Sequence, residues 1–228
     1  MFHAQILTLF PEFFDSPLAC SIPKRAIESG LVSVDAIQIR DFATDKHSKV
    51  DDSPYGGGPG MLMKPGPVVA AIREARKRRP DTHVVMLTPS GSRFTQAKAL
   101  EYTEKSSITL LCGRYEGFDE RICDYVDEEI SLGDYVLSGG EPAALCVLDS
   151  VIRLLPEVLG SPESAVLDSF SEAGILDWPH YTRPEEFEGK RVPDVLLSGN
   201  HAKIEQWRKN QADLRSRQRN VKGKSRDE

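Results

Sequence analysis

Gly113-Arg114-Tyr115-Glu116-Gly117-Phe118-Asp119-Glu120-Arg121 and Leu132-Gly133-Asp134-Tyr135-Val136-Leu137-Ser138-Gly139-Gly140-Glu141 are two glycine-marked turns near the middle of a 228-residue chain. Each follows a short apolar run that reads as a buried strand, and each leads into a segment that reads as a helix. Ligands of open α/β sheets bind at the C-terminal ends of strands, where glycine lets backbone approach ligand. Neither Gly-x-Gly-x-x-Gly nor Gly-x-x-x-x-Gly-Lys-Ser/Thr occurs in the chain, which argues against a pyrophosphate cradle. The turns point to a pocket that holds a nucleoside-like ligand by its base and sugar.

The flanking sequence supports a sheet of this kind. Residues 24–30 read as a helix closed by a glycine cap, followed by a strand over 32–39. Residues 66–79 place apolar side chains at helical spacing and stop before Pro80. A β-rich run over 83–87 meets a Thr88-Pro89-Ser90-Gly91 turn, and a helix follows over 95–102. Residues 108–112 read as another buried strand. Residues 142–155 read as an apolar helix with proline in its first turn. Strands alternating with helices at this spacing predict an α/β fold with a mainly parallel sheet over residues 1–160. Between 160 and 172 the composition shifts to Ser, Pro, Glu and Ala. A linker is expected over 161–176, followed by a small helical unit over 177–228 with a basic helix around residues 204–208.

Composition narrows the function classes. An apolar fraction of 39% and a charged fraction of 28% are ordinary for a globular protein. No apolar run reaches the roughly eighteen residues of a membrane helix, and the N-terminus reads as a first strand rather than a signal peptide. Cys20, Cys112, Cys123 and Cys146 are scattered singly. They suggest neither a zinc site nor a disulfide framework, and a reducing, cytoplasmic setting is expected. The net charge of −6 hides a gradient, because nine Lys/Arg face four Asp/Glu from Lys203 onward. That tail is +5 and the remainder −11, a pattern that suits either an RNA-touching tail or a solvated terminal helix.

Four further stretches carry candidate chemistry. Pro54-Tyr55-Gly56-Gly57-Gly58-Pro59-Gly60-Met61 is either a flexible linker or a loop that closes on a ligand or on RNA. Residues 45–52 mix His with carboxylates; a solvated charged loop is one reading and a hydrated magnesium near phosphates another. Asp168 beside Ser169 and Phe170 is either a helix cap or a general base hinged beside the pocket. His180, Tyr181 and Arg183, set between prolines, are either structural or the stacking and clamping groups of an unpaired base.

Taken together these stretches resemble the bacterial tRNA (guanine-N1)-methyltransferase family, TrmD, of the SPOUT superfamily. The likeness lies in residues 7–12, 51–61, 113–117, 133–141, 181–184 and 195–201, all in one order. It implies methyl transfer from S-adenosylmethionine to N1 of guanine 37 in tRNA by an obligate homodimer with active sites at the subunit interface. It also implies a deep trefoil knot in which the cofactor lies bent, and a need for magnesium whose ligands it does not assign. Carried across, the cofactor residues are Leu87, Thr88, Pro89, Gly113, Tyr115, Glu116, Gly117, Ser131, Leu132, Gly133, Asp134, Tyr135, Val136, Leu137, Gly139 and Gly140. The resemblance makes Asp168 the general base and Arg153 the cation that stabilises charge on guanine O6. Tyr55, Gly58, His180, Tyr181 and Arg183 become substrate contacts. The basic tail is expected either to replace the RNA contacts that a longer C-terminal domain makes in other members or to leave tRNA binding weaker. The alternatives are a SPOUT enzyme acting on another RNA position and a non-catalytic RNA-binding relative.

Overall fold

A computed structural model describes residues 1–160, 168–172 and 174–224, with side chains described through residue 219. The chain divides into two compact units, Met1–Gly160 and Ser161–Glu228.

The first unit begins with β1 (Phe2–Thr8), α1 (Asp15–Leu18), α2 (Ser21–Glu28) and β2 (Val32–Gln38). A small hairpin of β3 (Asp51–Asp52) and β4 (Leu62–Met63) leads to α3 (Pro65–Arg78) and β5 (His83–Arg93). Then come α4 (Gln96–Thr103), β6 (Ser107–Cys112), β7 (Glu128–Ser131) and α5 (Glu141–Ile152). Five strands form one sheet in the order β2-β1-β6-β5-β7, and every neighbouring pair is parallel. The expected α/β class is therefore present. All six residues of β6 are buried, as suits a central parallel strand covered on both faces. Strand β7, before the second glycine turn, is instead an edge strand that opens with two half-buried acids, Glu128 and Glu129, and not the buried apolar run expected there.

Side-chain alternation splits the core into two layers. Val85 and Leu87 of β5 join Tyr102 of α4 and Val147, Leu148, Val151 and Ile152 of α5 on one face. Val84 and Met86 join Val68, Val69, Ile72 and Ala75 of α3 on the other. The helices form where the apolar spacing predicts them. Thr95 caps α4 by accepting from the Lys98 amide, and Gly30, at φ +74°, follows the end of α2.

The Thr88–Gly91 turn is an excursion inside β5 rather than its end. Leu87 and Ser92 both sit opposite Ile130 of β7, so four residues loop out between them. Gly91 lets the chain return, since a Cβ there would penetrate the backbone of Glu129 and Ile130. A second close approach joins the two turns that mark the sequence. Gly140 N donates to Gly113 O at 2.8 Å, and a Cβ on Gly140 would lie 2.7 Å from Cys112 Cα and 2.8 Å from Gly113 N.

Near the N-terminal ends of β5 and β7, two carboxylates are held ionised. Burial pushes Asp127 up, but the Val84 amide and Arg76 outweigh it and hold the group below its ordinary value. Burial likewise pushes Glu128 up, while Lys98, His83 and the Tyr102 hydroxyl draw it down to a net lowered value.

In the second unit, β8 (Glu186–Phe187) pairs antiparallel with β9 (Lys190–Arg191), followed by α6 (Asp194–Leu197) and α7 (His201–Lys224). Among its described residues only Ala212 and Ser216 are buried. The unit is held by cation–ring and ring–ring contacts, with Arg208 over Trp178 at 5.0 Å, Arg219 over Phe170 at 4.6 Å and Tyr181 against Trp207 at 6.4 Å. Three arginines of the tail, Arg208, Arg215 and Arg219, thus have partners inside the unit. Half of the expected linker, residues 161–167 and 173, lies outside the described residues.

Two outcomes test this packing. Gly140→Ala forces backbone apart and should lower stability by about 1–3 kcal/mol. Gly66→Ala, where nothing lies within 4 Å, should be neutral or raise stability by up to about 1 kcal/mol; equal thermal unfolding of the two variants would contradict the close approach. Because the folded-state values of Asp127 and Glu128 lie below their unfolded ones, their contribution is present at neutral pH and is lost as pH falls below about 4. Asp127→Asn should therefore show a smaller stability difference between pH 7 and about pH 3 in urea unfolding, and an unchanged difference would refute the assignment.

Candidate active site

A cavity of about 490 Å³ opens beside the excursion in β5 and the C-terminal ends of β6 and β7, the side of the sheet that open parallel sheets use for ligands. Its volume is that of a site for a nucleoside-sized molecule. Three backbone segments wall it. The first is the β5 excursion, with Leu87, Thr88 and Pro89; the second is the turn after β6, with Gly113, Tyr115, Glu116 and Gly117. The third follows β7 and contributes Ser131, Leu132, Gly133, Tyr135, Val136, Leu137, Gly139 and Gly140. The structure thus gathers every residue assigned to the cofactor except Asp134. That carboxylate lies outside the lining and pairs with Arg93 at 2.8 Å.

The walls are fastened from beneath by a buried charge. Glu141, at the first position of α5, is 0% exposed. It accepts from Thr8 Oγ1 at 2.7 Å, and Arg114 Nη2 stands 2.9 Å from its other oxygen, off the line of a directed hydrogen bond. A buried carboxylate requires such partners, and the helix N-terminus adds favourable potential. Arg114 also lies over the Phe10 ring at 4.4 Å and donates to Ser138 O at 3.2 Å. One guanidinium therefore joins the end of β1, the turn after β6 and the turn after β7.

Several lining residues escape a motif reading. Glu120, Cys123 and Glu129 join Glu116 around the cavity. Burial, then Glu129 and Glu120, push the Cys123 thiol up, so it is neutral near pH 7. Among the described residues Arg114 is the one basic group lining the cavity, and Glu141 already engages it. A cavity bordered by three carboxylates and a paired cation suits a ligand with positive charge. Only β7 brings Glu129 here; in sequence it is one acid among several.

The glycine-rich stretch forms the loop of the β3–β4 hairpin. Tyr55 at its tip is 100% exposed, and Gly58 adopts φ +128°. Neither lines the cavity. The hairpin is nevertheless bonded to the cofactor-side turn, since Met63 N donates to Gly117 O at 2.8 Å and Glu116 N to Met61 O at 3.0 Å. In the 45–52 segment the Asp45 carboxylate accepts from the His47 and Lys49 amides, which closes a local turn. Among the described residues no cluster of three or more His, Cys, Asp or Glu is placed to hold a metal.

The other candidates divide between the units. Arg153 caps the C-terminus of α5, where its amide donates to Asp149 O at 3.1 Å. In the second unit Asp168 Oδ1 accepts from the Ser169 amide at 3.3 Å. No helix starts at Asp168 among the described residues, so the carboxylate does not act as a helix cap. His180 Nε2 lies 2.6 Å from Asp177 Oδ2 and its ring is 5.4 Å from that of Trp178. Tyr181 contacts Trp207, and Arg183 precedes a cis proline. These three are exposed, and His180 and Tyr181 also have structural partners.

The model of the tRNA (Guanine-1)-methyltransferase TrmD family matches residues 2–222. A tRNA (guanine-N(1)-)-methyltransferase of Syntrophotalea carbinolica is 54% identical over 92% of this chain and 85% of its own. One from Geobacter sulfurreducens is 53% identical over 91% of this chain and 84% of its own. One from Shouchella clausii is 51% identical over 94% and 88%. Sharing more than half its residues with such relatives across nine-tenths of its length, this chain belongs to the tRNA (guanine-1)-methyltransferase TrmD family.

Proposed function

We propose that this protein transfers the methyl group of S-adenosylmethionine to N1 of guanine 37 in tRNA. The observation that carries the reading is the three-walled cavity at the sheet's C-terminal edge, in a chain whose relatives bear the name of that reaction. The cavity suits the cofactor on its own chemistry. Glycine backbone lies flush at Gly113 and Gly140, no phosphate-binding loop is present in the sequence, and three carboxylates border a space fit for a cationic ligand. S-adenosylmethionine, when bound, supplies an electrophilic methyl carbon on a sulfonium.

The remaining chemistry falls to this chain. Asp168 accepts the N1 proton of guanine, which leaves the N1 electron pair free for the methyl group that the cofactor would supply, the sulfonium sulfur keeping the electrons of the bond it gives up. Arg153 stabilises negative charge on O6 during that step. Tyr55, Gly58, His180, Tyr181 and Arg183 contact the tRNA. Among the described residues no group of three or more His, Cys, Asp or Glu is gathered to hold the magnesium that the resemblance implies.

The protein acts as a homodimer in the cytoplasm, with its active sites at the subunit interface and a trefoil knot around the cofactor. Large apolar residues at the cavity support the dimer, since Tyr135, Leu137 and above all Val136, at 88% exposure, await a cover. Among the described residues no helix is long and apolar enough to cross a membrane.

Transfer of labelled methyl groups to tRNA should require guanine at position 37; equal labelling of a tRNA with adenine there would reject the assignment. Asp168→Asn should lower kcat by at least about a hundredfold while calorimetric affinity for S-adenosylmethionine stays within about twofold. Parallel loss of both would make Asp168 a structural residue. Gly113→Val should abolish cofactor binding, because even a Cβ there would stand 2.9 Å from the Phe118 ring at the cavity wall; normal affinity would move the site elsewhere.

A further inference from the structure

The proposed base sits in a loop whose geometry is set by the basic C-terminal helix. Two rungs close the loop on itself, with Phe170 N donating to Ile175 O at 2.7 Å and Asp177 N to Ser169 Oγ at 3.0 Å. Ser171 adds its hydroxyl to Asp168 O at 2.8 Å. Phe170 between them holds φ +69°, a left-handed conformation that a bulky residue keeps only when its surroundings impose it.

Helix α7 supplies those surroundings at three points. Ser216 is 5% exposed, and its Oγ accepts from Leu176 N at 2.8 Å while donating to Ala212 O at 2.7 Å. Arg215 Nη1 donates to Asp177 O at 3.1 Å. The Arg219 guanidinium covers the Phe170 ring at 4.6 Å, a contact that is electrostatically favourable. A helix serine bonded only to the carbonyl four residues back is commonplace. One that also receives a loop amide is a clamp, because its removal leaves that amide without its acceptor.

We propose that Ser216 and Arg219 are positioning residues for the proton-transfer step. They hold the described residues of this loop, 168–172 and 174–177, so that the Asp168 carboxylate keeps its place, and their helix serves this loop as well as any RNA. The inference rests on the reading of Asp168 as the base. It differs from the expectation that the basic tail only touches tRNA, since that role would be read in tRNA affinity and not in turnover. Misplacing a reacting group by a fraction of an ångström slows the step without weakening binding.

The test uses the full chain with tRNA bearing guanine 37. Ser216→Ala and Arg219→Gln should each lower kcat on the order of tenfold, with KM for tRNA and for S-adenosylmethionine within about twofold. Ser216→Thr, which keeps the hydroxyl, should restore most of the rate. Arg217→Gln removes an equal charge from an exposed neighbour and should leave kcat unchanged. Hydrogen–deuterium exchange over residues 168–177 should rise in Ser216→Ala and Arg219→Gln, which reports the loop even where turnover is too slow to measure. A raised tRNA KM with normal kcat, or unchanged kcat and exchange, overturns the proposal. Asp168→Asn run alongside separates the two readings: if it abolishes transfer while the helix variants do not, only the positioning role fails, and if it transfers normally the base assignment itself fails.

Discussion

The amide of Gly140 meets the carbonyl of Gly113 at a distance that leaves no room for a side chain, and the cavity depends on that crossing. It pins the start of α5 to the end of β6, so the turns after β6 and β7 face one another instead of splaying. Backbone packed on backbone cannot relax as a side chain can, which makes the constraint a hard one. The buried carboxylate of Glu141 reinforces it from the next residue. Removed from water, that charge is tolerable only with Thr8 and Arg114 in place. The bonds that satisfy it also tie three loops into one wall.

The second unit solves a different problem. With few buried apolar residues it has little of the hydrophobic driving force that stabilises the parallel sheet. Its order comes from contacts of arginines and aromatic rings with neighbouring rings, and from bonds between α7 and the 168–177 loop. Charge that looks like an electrostatic footprint in the sequence is in part internal mortar. Arginine suits both uses, because its guanidinium stacks on a ring while keeping its charge.

Much of the first unit is legible from periodicity. Largely apolar runs such as Ile108–Cys112 mark strands covered on both faces, and residues 66–79 mark α3 by their spacing. The turn at Thr88–Gly91 is legible as a turn, but not as an excursion from which β5 resumes beside Ile130. Asp134 sits among cofactor-side residues in sequence yet pairs with Arg93, because neighbouring positions in a loop project in different directions. Glu120 stands in the first glycine-marked stretch without an assigned role, Cys123 and Glu129 carry no motif at all, and only the folded chain puts the three beside Glu116.

The sequence by itself determined the alternation of strands and helices, the absence of a phosphate-binding loop, the positions where glycine replaces side chains, and the likeness to the TrmD family. These are local or linear properties, written in spacing and residue type. The tertiary structure alone decided which segments meet. Thr8 reaches Glu141, Gly113 reaches Gly140, and Leu176 reaches Ser216 across long stretches of chain. Such meetings follow from parallel register and from helix packing. A periodic pattern says that a side chain is buried, but it is silent on the partner that buries it.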